Sequence, residues 1–178
     1  SIYEKYSTLN TGMDAVLEIS KTIDTDTQIY NSRILLDFDT NDLTAMLPTA
    51  SLLSASYHLK LTTVEASEIP LQYDLYAYPV SGSWGMGTGR FGNSPITTDG
   101  VSWKYKTSEA AGNYWLTSSF NAGSTGNWTY INGGGTWYTS LNYTATQSFE
   151  YSSTDIDLDI TNTVRAWISG TLDNNGLI

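Results

Sequence analysis

Asp155-Ile-Asp-Leu-Asp-Ile-Thr-Asn-Thr-Val-Arg-Ala-Trp-Ile-Ser-Gly170 changes its hydrophobic period midway. Asp155, Asp157 and Asp159 alternate with Ile156, Leu158 and Ile160, the pattern of a strand with one buried and one wet face. Val164, Trp167 and Ile168 then fall three and four apart, which suits a short helix with a single apolar stripe. Thr161 is expected to cap its start, and Gly170 to adopt the left-handed conformation past its end. The turn-prone Asn175-Gly176 leads on to Leu177-Ile178, the opening of another strand. Strand, helical turn and returning strand form a structural module without a catalytic group.

The rest of the chain reads as strands nearly throughout. Ala15–Ile19 and Ile29–Phe38 are the first apolar runs, and Arg33–Phe38 is continuous enough for a strand buried on both faces. Asp39-Thr-Asn-Asp42 is turn chemistry, and Leu43–Leu47 suits one helical turn before Pro48. In 54–61, Ala55, Tyr57, Leu59 and Leu61 oppose Ser56, His58 and Lys60. Leu71–Val80 alternates again, with Pro79 favouring an edge or a strand end. Leu141–Tyr151 mixes Thr, Tyr and Phe as strands do. Short strands punctuated by turn residues predict an all-β chain, an antiparallel β-sandwich of jelly-roll type with one or two short helical turns.

The middle of the chain differs in composition. Twelve of the fifteen glycines and five of the six tryptophans lie between Gly82 and Trp137. Such a stretch predicts long loops displayed at one end. Trp84 and Trp103 are expected to pack. Trp115, Trp128 and Trp137, beside Tyr114, Tyr130 and Tyr138, are the candidate ligand-binding residues, because aromatic faces stack on sugar rings while neighbouring Asn and Ser bond their hydroxyls.

Several segments also resemble those of the DNRLRE-type domains, carbohydrate-binding-module-like β-sandwiches of secreted, cell-wall and phage virion proteins. The resemblance rests on Asp159-Ile-Thr161, Val164, Trp167, Gly170 and Asn175-Gly176-Leu177, which follow the family's closing D-V-T-x-x-V-x-x-W-x-x-G…N-x-G-L pattern. Arg33-Ile-Leu-Leu-Asp-Phe-Asp39, Ala55-Ser-Tyr-His-Leu-Lys-Leu61, Ser83-Trp-Gly-Met-Gly-Thr88 and Val101-Ser-Trp103 resemble upstream segments, with Met86 where an acid is usual. The opening Ser1-Ile-Tyr3 and Asn10-Thr-Gly-Met-Asp-Ala-Val-Leu-Glu-Ile19 fit its first two strands and resemble phage structural proteins carrying this domain. The resemblance implies a non-enzymatic virion structural protein: a head decoration, fibre or appendage domain, with other virion proteins, further copies of itself and host-surface glycans as expected partners. The alternative it implies is a carbohydrate-binding module of a secreted bacterial enzyme or surface protein.

Length and charge bound these readings. A chain of 178 residues suits one domain, 1–178, with a sizeable core. The start at Ser1 and the very short final strand read as a piece of something longer. Cysteine is absent, which removes disulfides and thiolate metal sites. Eight Lys and Arg against eighteen Asp and Glu leave no basic footprint for nucleic acid or an anionic membrane surface. No apolar run is long enough to insert in a membrane.

Catalytic and metal sites find little sequence support. His58, the only histidine, stands on a polar strand face without a nucleophile elbow. Asp99 and Glu109 have no spacing that pairs them across a sugar. Asp155-Ile-Asp-Leu-Asp begins like a calcium loop, but Ile160 and Ala166 stand where Gly and Glu are needed. A structural calcium, on Asp155, Asp157 and Asp159, on Asp37, Asp39 and Asp42, or near Asp173, is the one ion that these oxygen-rich segments suit, and no other cofactor is expected. Asn127 and Asn142 head N-x-T sequons, which matter only in a eukaryotic secretory context.

Overall fold

The computed structural model describes residues 1–64, 69–115, 133–150 and 155–178. Among them run strands β1 Ile2–Tyr3, β2 Lys21–Ile23, β3 Ile29–Arg33, β4 His58–Leu61, β5 Gln72–Ala77, β6 Ala145–Glu150 and β7 Ile156–Asp159. Three short helices accompany them: α1 Asn41–Met46, α2 Thr49–Ser54 and α3 Thr161–Ile168. Every strand pairing among the described residues is antiparallel, and the fold is mainly β. The chain forms two compact units, one of Ser1–Leu36, Val80–Thr136 and Ile178, the other of Asp37–Pro79 and Trp137–Leu177.

The first unit contains the three-stranded sheet β1-β3-β2. β2 and β3 form a hairpin that pairs Ile23 with Ile29, closed by Asp24 N–H to the Gln28 carbonyl at 3.0 Å and Thr27 N–H to the Asp24 carbonyl at 2.9 Å. Thr27 takes φ +62, a left-handed conformation that a β-branched residue resists. Ile2, Leu35, Val80, Val101, Trp103 and Trp115 form the core, with Trp84 and Ile178 packed against it. Burying those indoles removes the largest apolar areas the chain owns, which stabilises a region poor in regular elements. The Arg33 guanidinium lies 4.8 Å from the Trp103 ring centre and donates to the Gly134 carbonyl.

Outside its short sheet this unit is held by scattered backbone pairs, such as Val101 N–H to the Gly85 carbonyl, and by side-chain-to-backbone bonds. Asn10 is fully buried, and its amide is saturated. Nδ2 donates to the Met86 carbonyl at 2.7 Å and to the Val101 carbonyl at 2.8 Å, while Oδ1 accepts from Gly89 N–H at 2.7 Å and Gly12 N–H at 3.3 Å. Segments far apart in sequence meet on one side chain, which satisfies their buried backbone groups as a strand partner would. The approach demands glycine: a Cβ on Gly100 would land on the backbone of Gly87 and the amide of Asn10.

The second unit is built from pattern. β4 pairs with β7, setting Leu59 opposite Leu158 and Lys60 opposite Asp157, so apolar and charged residues segregate to two faces. β5 pairs with β6, and the cross-strand pair Tyr73 and Phe149 stacks at 4.7 Å between ring centres. The Gln147 amide links β6 to β7, accepting from Asp157 N–H at 2.8 Å and donating to the Asp155 carbonyl at 3.1 Å. α3 buries Thr163, Val164, Ala166 and Trp167. Gly170, at φ +71, closes it in a Schellman motif, with Thr171 N–H on the Ala166 carbonyl at 2.9 Å and Gly170 N–H on the Trp167 carbonyl at 3.1 Å.

Some sequence expectations give way. Thr161 is the first helical residue of α3 rather than its cap, and the Asp159 carboxylate accepts its N–H at 2.9 Å instead. The segment after Arg33 is not a strand buried on both faces: β3 ends at Arg33, Leu35 is buried, and Ile34 and Leu36 are half-buried. Residues 15–19 form no strand and lie exposed. Pro48 does not only end a helical turn; it stands at the N-cap of α2, where its fixed φ and missing N–H cost nothing. The strand expected at Leu177-Ile178 is a single bridge from Leu177 to Pro79.

Candidate functional site

In the first unit the β2–β3 hairpin, the segment after β1 and the turn at Phe91 enclose an open groove of about 270 Å³. Its apolar part is mostly aromatic, Tyr3, Tyr6, Tyr30 and Phe91, with Ile23 beside them. Phe91 stands at the centre, 5.3 Å from the Tyr3 ring and 5.6 Å from the Tyr6 ring, the latter edge-on at 81°. Such a T-shaped pair leaves one ring face free while the edge is held. Phe91 is 52% exposed and Tyr6 47%, whereas Tyr3 is buried. The backbone fixes the Phe91 position, because its N–H donates to the Asp14 carboxylate at 3.0 Å and Asn93 N–H closes the turn on the Arg90 carbonyl at 3.2 Å.

Polar groups converge on the same groove. Lys5 Nζ lies 2.8 Å from Asp24 Oδ2 and 5.6 Å from the Tyr30 ring centre. Asp24 also accepts from Thr25 N–H at 2.7 Å. These bonds hold the Asp24 carboxyl below its usual range, and the same partner raises the Lys5 ammonium above its own. Glu18 accepts from the Tyr3 hydroxyl at 3.3 Å and from the Ser20 hydroxyl at 3.0 Å. Burial, followed by the negative charge of Glu18, pushes the Tyr3 phenol up to about 12, so it stays a donor at any ordinary pH. Asn31 Nδ2 donates to Glu4 at 2.8 Å. The groove therefore joins exposed ring faces to anchored acceptors and donors, an arrangement that can orient a hydroxylated ligand but carries no nucleophile–base pair.

The residues expected to bind ligand are distributed differently. Trp115 is corrected outright: it is 4% exposed, sits in the core, and spends its Nε1–H on the Ser102 carbonyl at 3.0 Å. The residue follows the bridge between Tyr105 and Tyr114 and packs with Ile2, Leu35, Val80, Val101 and Trp103. Tyr114 is half-buried against Tyr105 at 4.9 Å, under the Lys104 ammonium. Trp137 and Tyr138 are half-buried in the second unit, where Trp137 continues a row of rings, 5.8 Å from Tyr78, itself 6.0 Å from Tyr76. Trp128 and Tyr130 lie outside the described residues. Trp103 is buried and Trp84 half-buried, as expected for packing residues.

Sequence reasoning missed the groove because its rings come from three separate segments with no common spacing. The one available signal was the Tyr3/Tyr6 pair near the N-terminus, which reads equally well as half of a strand face.

The histidine and the carboxylate clusters have local partners. His58 is exposed on β4, its Nδ1 2.8 Å from Asp157 Oδ1, and Lys60 Nζ lies 3.0 Å from Asp157 Oδ2. The Lys60 ammonium relieves part of the repulsion along Asp155, Asp157 and Asp159. Bonds from Lys60 and His58 hold the Asp157 carboxyl below its usual range, and the Thr161 hydroxyl and N–H do the same for Asp159. Asp155 accepts from Thr63 N–H at 3.0 Å, and Asp39 from Asn41 N–H at 2.8 Å. No group of three or more His, Asp or Glu side chains among the described residues is placed to hold a metal ion. Asp99 serves Thr88, accepting from its hydroxyl at 2.6 Å and its N–H at 3.0 Å. No helix among the described residues is long and apolar enough to cross a membrane.

Compared with protein-family models, with curated proteins and with solved structures, the chain matches none.

Proposed function

We propose that this chain is a non-enzymatic structural domain of a tailed-bacteriophage virion, a β-sandwich of jelly-roll type that works by surface contact, including contact with host-surface glycans. The observation that carries this reading is the placement of the segments resembling the DNRLRE-type domains. They supply framework: Asn10 saturates the backbone beside Met86 and Val101, Arg33 packs over Trp103, and Val164, Trp167 and Gly170 build and close α3. Chemistry by such a domain would need groups placed to react, whereas its aromatic groove offers groups placed to hold. Presented in many copies on a particle, weak contacts of this kind add by avidity.

The aromatic groove also favours a second reading, a carbohydrate-binding module of a secreted or surface protein. Mass analysis of purified phage particles separates the two. Peptides of this chain in the particle, beside capsid and tail proteins, are the expected result; finding them only with secreted polysaccharide-degrading enzymes would sink the virion reading and leave the module.

A further inference from the structure

We infer that the groove around Phe91 is a binding site for uncharged hexopyranose glycans, with Phe91 and Tyr6 as its stacking surface; this deepens the glycan-contact reading proposed above and rests on it. Four features of the groove select that class of ligand. Its volume, about 270 Å³, sits at the lower end of small-ligand sites, ~300 Å³ and upward, which suits one or two sugar rings rather than a long chain or a helix. Half-exposed ring faces at Phe91 and Tyr6 match the apolar C–H face that a pyranose presents, and burying that face displaces water from both partners.

The hydrogen-bonding groups fit the sugar's rim. Glu18 and Asp24 are fixed acceptors for hydroxyl donors, and the hydroxyls of Thr22 and Tyr30 can both give and take. Charge then decides among sugars. The groove contains two carboxylates and one ammonium, and that ammonium is already bound to Asp24. A uronic or sialic acid would bring a further carboxylate into this surplus with no free cation to meet it, on a chain whose formal net charge is −10. An uncharged hexose brings donors to the acceptors without that repulsion.

The site is also pre-formed. The Phe91 N–H bond to Asp14 and the Lys5–Asp24 pair hold its two walls before any ligand arrives, so little ordering is left to oppose binding.

The experiment uses the full chain on an array of neutral and uronic-acid oligosaccharides, followed by titration of the best binder. Wild type is compared with Phe91→Ala, Tyr6→Ala and Tyr76→Ala, each checked for folding by circular dichroism and thermal melting. Neutral glycans should bind, with at least about tenfold loss in Phe91→Ala and Tyr6→Ala and no change in Tyr76→Ala, as expected when a stacking ring of a small site is removed. Should either groove variant unfold, amide shift changes in the wild-type chain on adding the neutral glycan must centre on residues 3–6, 18–32 and 91. Loss of binding in Tyr76→Ala with retention in Phe91→Ala would overturn the groove and leave the glycan-contact reading intact. Preference for uronic acids would overturn the ligand class. Absence of any glycan binding would remove this site, while the virion assignment would still stand or fall on the particle analysis.

Discussion

Residues 156–170 and residues 80–115 hold their shapes by opposite means. In the first stretch, β7 and α3 follow from periodicity: alternate residues of β7 are buried against β4, and one stripe of α3 is buried beyond it. In the second, the described chain has no strand or helix longer than an isolated bridge, yet Val101, Trp103, Tyr105 and Trp115 are buried. Order there comes from scattered backbone hydrogen bonds, such as Val101 N–H to the Gly85 carbonyl and Trp115 N–H to the Lys104 carbonyl, together with Asn10 and close backbone approaches that only glycine permits. The lesson is that a mainly β protein can satisfy buried backbone groups without a long ladder, provided isolated backbone pairs, a buried amide and a few missing Cβ atoms replace it.

The sharpest way to break this comparison is to restore a Cβ where the second stretch lacks one. Gly100→Ala places its new carbon against the Gly87 backbone and the Asn10 amide, neither of which can swing away. A cost above about 3 kcal/mol is expected, because overpacking against backbone cannot relax by a rotamer change. Urea denaturation measures it, and a near-neutral result would mean the approach is looser than described.

Next in size is the contrast between two tryptophans once expected to behave alike. Trp115→Ala should lose about 3–5 kcal/mol, as large buried aromatics do when truncated. Trp137→Ala, from a half-buried ring, should lose clearly less in the same urea experiment. Equal losses would contradict the assignment of Trp115 to the core.

Acid sensitivity should touch both units. The carboxyls of Asp24 and Asp99 in the first, and of Asp157 and Asp159 in the second, are held below their ordinary value of 3.8 by hydrogen bonds. A carboxyl depressed by folding contributes stability that is fully present above its unfolded value and drains as pH falls through its folded value. The urea midpoint should therefore hold down to about pH 4 and decline below it. A midpoint that stays flat to about pH 2 would show that these bonds carry no linkage. The Tyr3 phenol works in the opposite direction: raised from 10.0 to about 12, it contributes below pH 10 and loses that contribution as pH climbs toward 12. Ultraviolet titration of wild type against Tyr3→Phe should reveal one late-titrating phenol.

The smallest effect is expected at the hairpin turn that walls the groove. Thr27→Gly removes a left-handed strain on a β-branched residue and should stabilise the chain by about 1 kcal/mol. Destabilisation instead would mean that the Thr27 side chain makes a contact worth more than its strain.

Legibility in the sequence follows the same division. The faces of 55–61, the strand of 156–159, the helix after it and the role of Gly170 could all be read from residue order, since each depends on neighbours within a turn or a pleat. The helix at Thr49–Ser54 was hidden because Pro48 looks like a stop, although proline is equally at home where a helix begins. Ile160 holds the N-cap position of α3, and the Asp159 carboxylate takes up the Thr161 N–H; Asp159 and Thr161 are both capping residue types two apart, so residue order alone does not place the helix start.

The mainly β character, the antiparallel strands and the module ending at Gly170 are thus local properties, written in periods of two and of three to four residues. Which aromatic rings meet solvent is not local. Trp115 was drawn inward and Phe91 left outward by partners well beyond one turn or pleat, Ser102 and Val101 in the core for one, Tyr3, Tyr6 and Asp14 in the groove for the other. Burial is set by what else must be covered, and that sum exists only once the chain has folded.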